Sequence, residues 1–289
     1  GRMEYREGSL IPDGRVLVDT TQSFNYREGG LAGVLLASRL TGIPPNLSAR
    51  LTAGTLISAY EVYEAVRRGI SVPYRKTDPE RTSAGCDLRK SDRGGMIFQP
   101  VAGLFVKVAQ IDFTSLYPSI IVRYNLSPET VADRGRRGFL PAVLAPLLSF
   151  RLKTKREKAL DPDTAGMDAL LKWMLVTCFG YTGYRNAKFG NIEVHEAINR
   201  NAREVLLVSK ALAERSGHIV LHGMVDCLFV QGKDIAGLEL TITRKTGLPV
   251  ETDLFDWIVF LPMKDGRGAY NRYYGRLAGG EMKCRGVAS

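Results

Sequence analysis

The run IEVHEAINRNAREVLLVSKALAER, residues 192–215, returns apolar side chains at helical spacing with polar residues between them, which predicts an amphipathic helix. The same period marks GGLAGVLLASRLTGIPP, where a helix should stop at Gly42 ahead of Pro44 and Pro45. TLISAYEVYEAVRRG predicts another helix, with Gly69 as its stop. Longer helical patterns cover residues 139–160 and 164–180, and the Asp161-Pro162-Asp163 turn between them predicts an antiparallel helical hairpin. GLFVKVAQIDF, residues 103–113, has the β-branched, apolar texture of a central strand. Pro118 fits the first turn of a helix after it, and Pro128 ends that stretch. HGMVDCLFVQG, residues 222–232, predicts a strand, a tight turn and a second strand. Residues 237–262 predict a helix or a strand pair, and residues 270–286 a last hairpin. Residues 1–30 predict an irregular lead-in, and residues 75–95 a charged linker that ends at Gly94-Gly95. Four or more strands with helices on one side make the expected fold class α+β.

Composition narrows the possible functions. At 289 residues and 45% hydrophobic, the chain can bury one sizeable core or two smaller ones. Forty basic residues against 30 acidic ones give a formal charge of +10, which favours polyanionic partners. Cys86, Cys178, Cys227 and Cys284 lack C-x-x-C spacing, and three histidines are few helpers. A zinc knuckle or disulfide framework is therefore not expected, and a reducing compartment is the simpler reading. No apolar run reaches membrane-span length, and the first residues lack a signal-peptide pattern, so no membrane association is expected.

Two aspartates stand at places where metal chemistry is possible. Asp112 ends the predicted central strand and Asp226 sits at the bend of the predicted hairpin. Two facing carboxylates repel unless a cation or a shared proton intervenes. Mg²⁺ suits such oxygen ligands, and two ions about 3.5–4 Å apart can serve both ends of a phosphoryl transfer. Each aspartate alone could equally be a turn or surface residue. Between Arg134 and Lys158 lie eight basic residues and one acidic residue. Arg151 and Lys155 share a helix face, and Lys172 on the next helix could join them around a triphosphate. A solvated basic face is the alternative. Phe179, Tyr181 and Tyr184, with Arg185 and Lys188 nearby, could stack on bases or simply pack.

Longer motifs go further. DFTSLYPSI (112–120) resembles the first polymerase motif of the family B DNA polymerases, in an archaeal-like form. KWMLVTCFGYTGY (172–184) is similar to their fingers motif K-x-x-x-N-S-x-Y-G, and HGMVDCLFV (222–230) to Y-G-D-T-D-S-L-F-V. RLTGIP, Gly94-Gly95, YNLSPET, GFLPAVLAPLL, NRYYG and KCRG also resemble family segments, in the expected order. The resemblance implies a polymerase-type palm with an antiparallel sheet and an inserted helical hairpin, the fingers. It divides the chain into a lead-in and helical segment (1–95), palm (96–132), fingers (133–190) and palm again (191–289).

By that resemblance Asp112 and Asp226 bind two Mg²⁺ ions. Arg151, Lys155 and Lys172 hold the incoming dNTP, with the backbone at Thr114, Ser115 and Leu116 assisting. Tyr117 lies beneath the sugar and excludes a 2′-hydroxyl, although locally it could be a core residue. Tyr181, Tyr184, Arg185, Lys283 and Arg285 contact nucleic acid. The implied activity is template-directed DNA synthesis on a primer–template, in the cytoplasm beside the nucleoid of a prokaryote or archaeon. No segment resembles the proofreading exonuclease or the thumb, so no proofreading is expected, and either a partner subunit or further chain outside this sequence should supply the thumb's grip. Met224 and Val176 depart from the motifs, where an aspartate and an asparagine are usual. A catalytically impaired nucleic-acid-binding or scaffolding subunit is therefore the alternative.

Overall fold

A computed structural model describes residues 15–74, 94–131 and 135–287; most of the expected 75–95 linker, with Cys86, and Arg134 lie outside these residues. The chain forms two compact units, residues 1–77 with 142–190, and residues 78–141 with 191–289.

The first unit is helical. Helix α1 (Phe24–Thr41) begins inside the segment expected to be irregular, because Ser23 caps it by accepting from the Tyr26 amide. Gly42, at φ 73°, ends the helix as expected. A short turn of helix, α2 (Pro45–Ser48), leads to α3 (Ala53–Arg67), capped by Thr52 and followed by Gly69 at φ 68°. Helix α5 (Phe139–Glu157) and α6 (Pro162–Thr182) match the two long apolar patterns. Pro162 already lies in the first turn of α6, since Asp161 caps it and proline suits that position. Helix α6 packs against α1 and α3. The approach to α1 is close because glycines meet: a Cβ on Gly166 would overlap the carbonyl oxygen of Gly29, and one on Gly33 would sit 3.2 Å from the Gly166 oxygen.

In the second unit, seven antiparallel strands form one sheet in the order β1-β3-β4-β2-β5-β6-β7. They are β1 (Ile97–Phe98), β2 (Gly103–Phe113), β3 (Ile219–Met224), β4 (Cys227–Gln231), β5 (Val250–Pro262), β6 (Gly268–Leu277) and β7 (Met282–Arg285). Residues 237–262 therefore divide into the end of helix α8 (Ile235–Thr246) and strand β5, with Gly247 at φ 70° separating them. Helix α7 (Ile192–Arg215), capped by Asn191, packs on β3 and β4, while α8 packs on α7 and β5. Helix α4 (Leu116–Arg123), which follows β2 directly, also packs on α7.

The sheet curls into a half-barrel. Lys107, at φ 52°, interrupts the β2–β5 register between Val106 and Val108, and register shifts also occur in β3–β4 and β5–β6. Inside the curl, Phe229 lies 5.3 Å from both Phe260 and Tyr273, ring centre to ring centre. His222, stacked on Phe229, bridges strands that are not neighbours: its Nδ1 lies 2.9 Å from the Phe98 carbonyl and its Nε2 3.0 Å from that of Tyr270. Val108, Met224, Cys227, Phe255 and Ile258 complete this core. The α+β class and antiparallel sheet agree with the sequence, and the enclosed aromatic face is what the pattern did not reveal.

Candidate active site

The β2–β4 register places Asp112 directly opposite Cys227, the residue after Asp226. Asp226 occupies the β3–β4 turn, where its carbonyl accepts a 2.8 Å hydrogen bond from the Phe113 amide. Two aspartates more than a hundred positions apart thus flank one strand end. The Cys227 thiol responds to both: burial, then the charges of Asp226 and Asp112, push it up to about 12.

Asp226 is itself held above the ordinary carboxylate range, first by burial, against the lowering effects of its own amide and of Arg285. A carboxylate in that condition gains from a cation. Two hard-oxygen donors suit a Mg²⁺-type ion, which fills its other positions with water and phosphate. Among the described residues no group of three or more His, Cys, Asp or Glu could form a closed metal cage. Met224 is 6% exposed within the aromatic core and supplies no oxygen donor.

Tyr117 is half-buried at the start of α4, and its phenol is pushed up by burial and then by the charge of Asp226, while Arg203 opposes both. Ser115 adopts a left-handed conformation, φ 52° and ψ 50°, to turn the chain from β2 into α4. The Thr114 amide donates to the Pro249 carbonyl at 3.0 Å, so the first-turn amides of α4 belong to Leu116 and Tyr117. Pro118 has no amide to add. Arg285 is exposed, hydrogen-bonds Tyr273 and acts on Asp226. Lys283 donates to Asp253 at 2.7 Å and to the buried Gln110 at 2.9 Å.

The remaining sequence candidates lie in the helical unit. Arg151 is only 7% exposed, with its Nε 3.6 Å from Asp168 Oδ1, and Lys158 approaches the same carboxylate at 3.9 Å. Lys155 is half-buried and Lys172 exposed. Tyr181 packs on α3, since a Cβ on Gly54 would overlap its hydroxyl, and its ring centre lies 5.5 Å from that of Tyr184. Tyr184 and Arg185 are exposed, while Lys188 donates to the Pro73 and Tyr74 carbonyls.

Sequence reading missed Asp168, Asp253 and Arg203. Asp168 and Arg203 lie on helices whose polar positions look interchangeable, and no spacing marks which one meets a partner from a distant segment. The Arg203 guanidinium donates to the Gly94 carbonyl at 2.8 Å.

A family model for DNA polymerase family B matches residues 62–137, which include Asp112 and Tyr117. The chain is 31% identical over 267 residues to DNA polymerase 2 of Saccharolobus solfataricus, covering 88% of this chain and 42% of that protein. It is 31% identical over 216 residues to a DNA polymerase of Pyrococcus glycovorans, covering 66% of this chain and 28% of that one. The solved family B DNA polymerase of Pyrobaculum calidifontis superposes with a TM-score of 0.64 at 26% identity, covering 89% of this chain and 36% of that one. The chain thus spans less than half the length of these relatives.

Proposed function

This chain belongs to DNA polymerase family B, and from that premise we propose that it performs template-directed transfer of a deoxynucleotide to a primer 3′-hydroxyl, releasing pyrophosphate. The observation that most supports this reading is the register that sets Asp112 beside the turn bearing Asp226. When bound, divalent ions would supply Lewis-acid stabilisation of the attacking and leaving oxygens. Asp112 and Asp226 would hold them, and burial of Asp226 strengthens its demand for positive charge.

The other roles follow from exposure and chemistry. Tyr117, its phenol kept neutral by burial and by Asp226, would set a rigid edge against the sugar and reject a 2′-hydroxyl by contact. The first-turn amides of α4, with Thr114 and Ser115 shaping the turn, would receive phosphate oxygens at a helix N-terminus. Within the helical unit, which we read as containing the fingers hairpin, Lys155 and Lys172 are the side chains for the triphosphate. Arg151 would act with them while held by Asp168. Arg285, Lys283, Tyr184 and Arg185 would contact the primer–template, and Tyr181 would position Tyr184. A partner subunit or further chain that grips the duplex, and a nucleoid setting, belong to the same proposal. Among the described residues no helix is long and apolar enough to cross a membrane.

A second reading is a DNA-binding scaffold without activity, favoured by Met224, which puts a thioether in the core where the family motif carries an acid. Primer extension with Mg²⁺ and dNTPs separates the two. Extension by the purified chain, abolished in both Asp112→Ala and Asp226→Ala, supports the enzyme. Duplex binding without extension, unchanged in those variants, supports the scaffold.

A further inference from the structure

The turn that carries Asp226 is strained. Val225 has φ 55°, a conformation that β-branched residues rarely adopt. The Asp226 amide donates back to the Met224 carbonyl at 2.6 Å, closing a three-residue turn around Val225. Such geometry costs of the order of 1–3 kcal/mol and persists only where the surroundings impose it.

Val225 packs against the aromatic core of the half-barrel, and its other contacts are with the segment Gly94–Met96. The Met96 carbonyl accepts from the Val225 amide at 2.8 Å. Gly95 lies so close that an added Cβ would stand 2.9 Å from Val225 Cγ2. Just beyond, Ile97 and Phe98 pair with Met224 and Gly223, so the segment continues the ladder up to the turn. Gly94 takes φ 57°, which glycine accepts without strain. The β1–β3 ladder and the His222 contact to the Phe98 carbonyl hold the far end of this segment. At its near end Arg203 on α7 ties it to the body of the unit, its Nη1 donating to the Gly94 carbonyl at 2.8 Å. Arg203 is half-buried, and its charge also acts on Tyr117.

We infer that Arg203 is a positioning residue which, by fastening Gly94–Met96 against the Val225 turn, holds the Asp226 carboxylate in its working direction. The bond from the Phe113 amide to the Asp226 carbonyl and the Met224–Cys227 pair fix the strand ends on either side of the turn, and neither engages the Asp226 carboxylate. Loss of the Arg203 bond would let the Met96 carbonyl withdraw and the three-residue turn open. A displacement of about 1 Å at such a group can cost on the order of a hundredfold in rate. For its catalytic consequence, the inference rests on the polymerase reading above.

The test pairs activity with amide hydrogen exchange on the purified chain. In Arg203→Ala, the Val225 amide should exchange at least about tenfold faster, while amides in the core of β5 keep their wild-type rates. Primer-extension kcat should fall about a hundredfold while the KM for dNTP changes less than about threefold, the pattern of a lost transition-state interaction. Gly95→Ala, whose Cβ would press directly on Val225 Cγ2, should reproduce both effects, and Arg203→Lys, which keeps a donor, should lie between. Should Arg203→Ala fail to fold, those two variants carry the same readouts. An unchanged Val225 exchange rate beside a reduced kcat would overturn the inference, as would wild-type kcat in Arg203→Ala. Absence of extension by the wild-type chain would instead overturn the polymerase reading, and the exchange measurements would still decide whether Arg203 fastens the turn.

Discussion

Glu61 is a carboxylic acid in the wrong solvent. It sits on α3, 5% exposed, and a weak donor, the Cys178 thiol, lies 3.4 Å from its Oε1. Burial pushes its carboxyl up to about 7 from an ordinary 4.5, and the thiol bond only partly opposes this. A group whose folded pKa is raised stabilises the fold while protonated in both states, below pH 4.5. That contribution declines as the pH rises from 4.5 and is gone once the pH passes about 7. Across the window the loss is about 1.4 kcal/mol per pH unit, or roughly 3 kcal/mol in all. Glu61→Gln keeps the shape and cannot ionise, so its stability should lack this slope. The assay is urea unfolding at several pH values between 4.5 and 8, in a Trp257→Phe background. That leaves Trp173, which packs on Phe24 at 5.2 Å, to report the helical unit. The gap between variant and parent should widen steadily up to pH 7 and then stay constant. A gap independent of pH would show that Glu61 ionises without cost and would refute the reasoning.

Other perturbations have equally local causes. Gly166→Ala should destabilise the helical unit by about 1–3 kcal/mol in the same urea assay, because its Cβ meets the Gly29 backbone rather than a yielding side chain. Arg151→Met should cost about 1–3 kcal/mol, because Asp168 loses its guanidinium and keeps only Lys158 at 3.9 Å, and Arg151→Met with Asp168→Leu should recover most of it. If Arg151 also holds the triphosphate, that double variant keeps a raised KM for dNTP in primer extension. His222→Ala should open the half-barrel and lower stability by roughly 2–4 kcal/mol, through the lost hydrogen bond that the neutral imidazole donates to one of its two carbonyl neighbours and a cavity beside Phe229. Burial pushes the His222 imidazole below 6.5, so its contribution is present above pH 6.5 and is lost as the pH falls. His222→Ala should flatten that acid limb in unfolding curves followed by Trp257 fluorescence in a Trp173→Phe background.

Most secondary structure was legible in the chain because its causes are local. Helix α7 runs from Ile192 to Arg215, and β2 from Gly103 to Phe113, as the apolar patterns predict. The early start of α1 escaped the pattern, since Ser23 begins the helix through a cap ahead of the apolar stripe. The motif around Asp112 and the one around Asp226 were likewise readable, each as an isolated string. What no string contains is the choice of partner. Strand pairing brings Asp112 opposite Cys227, yet the same residues would permit another register until the aromatic face around Phe229 has somewhere to bury. Arg151 and Lys283 look alike in sequence, as long cations on polar faces. Folding places the first against Asp168 and the second against Asp253 and Gln110. Sequence by itself determined most of the elements and the family, and it marked out the candidate side chains, because propensity, periodicity and motif act over a few residues. Only the tertiary structure decided which charges neutralise each other, which acid is stranded without water, and what holds the Asp226 turn, because Coulomb and burial energies depend on distances between segments far apart in the chain.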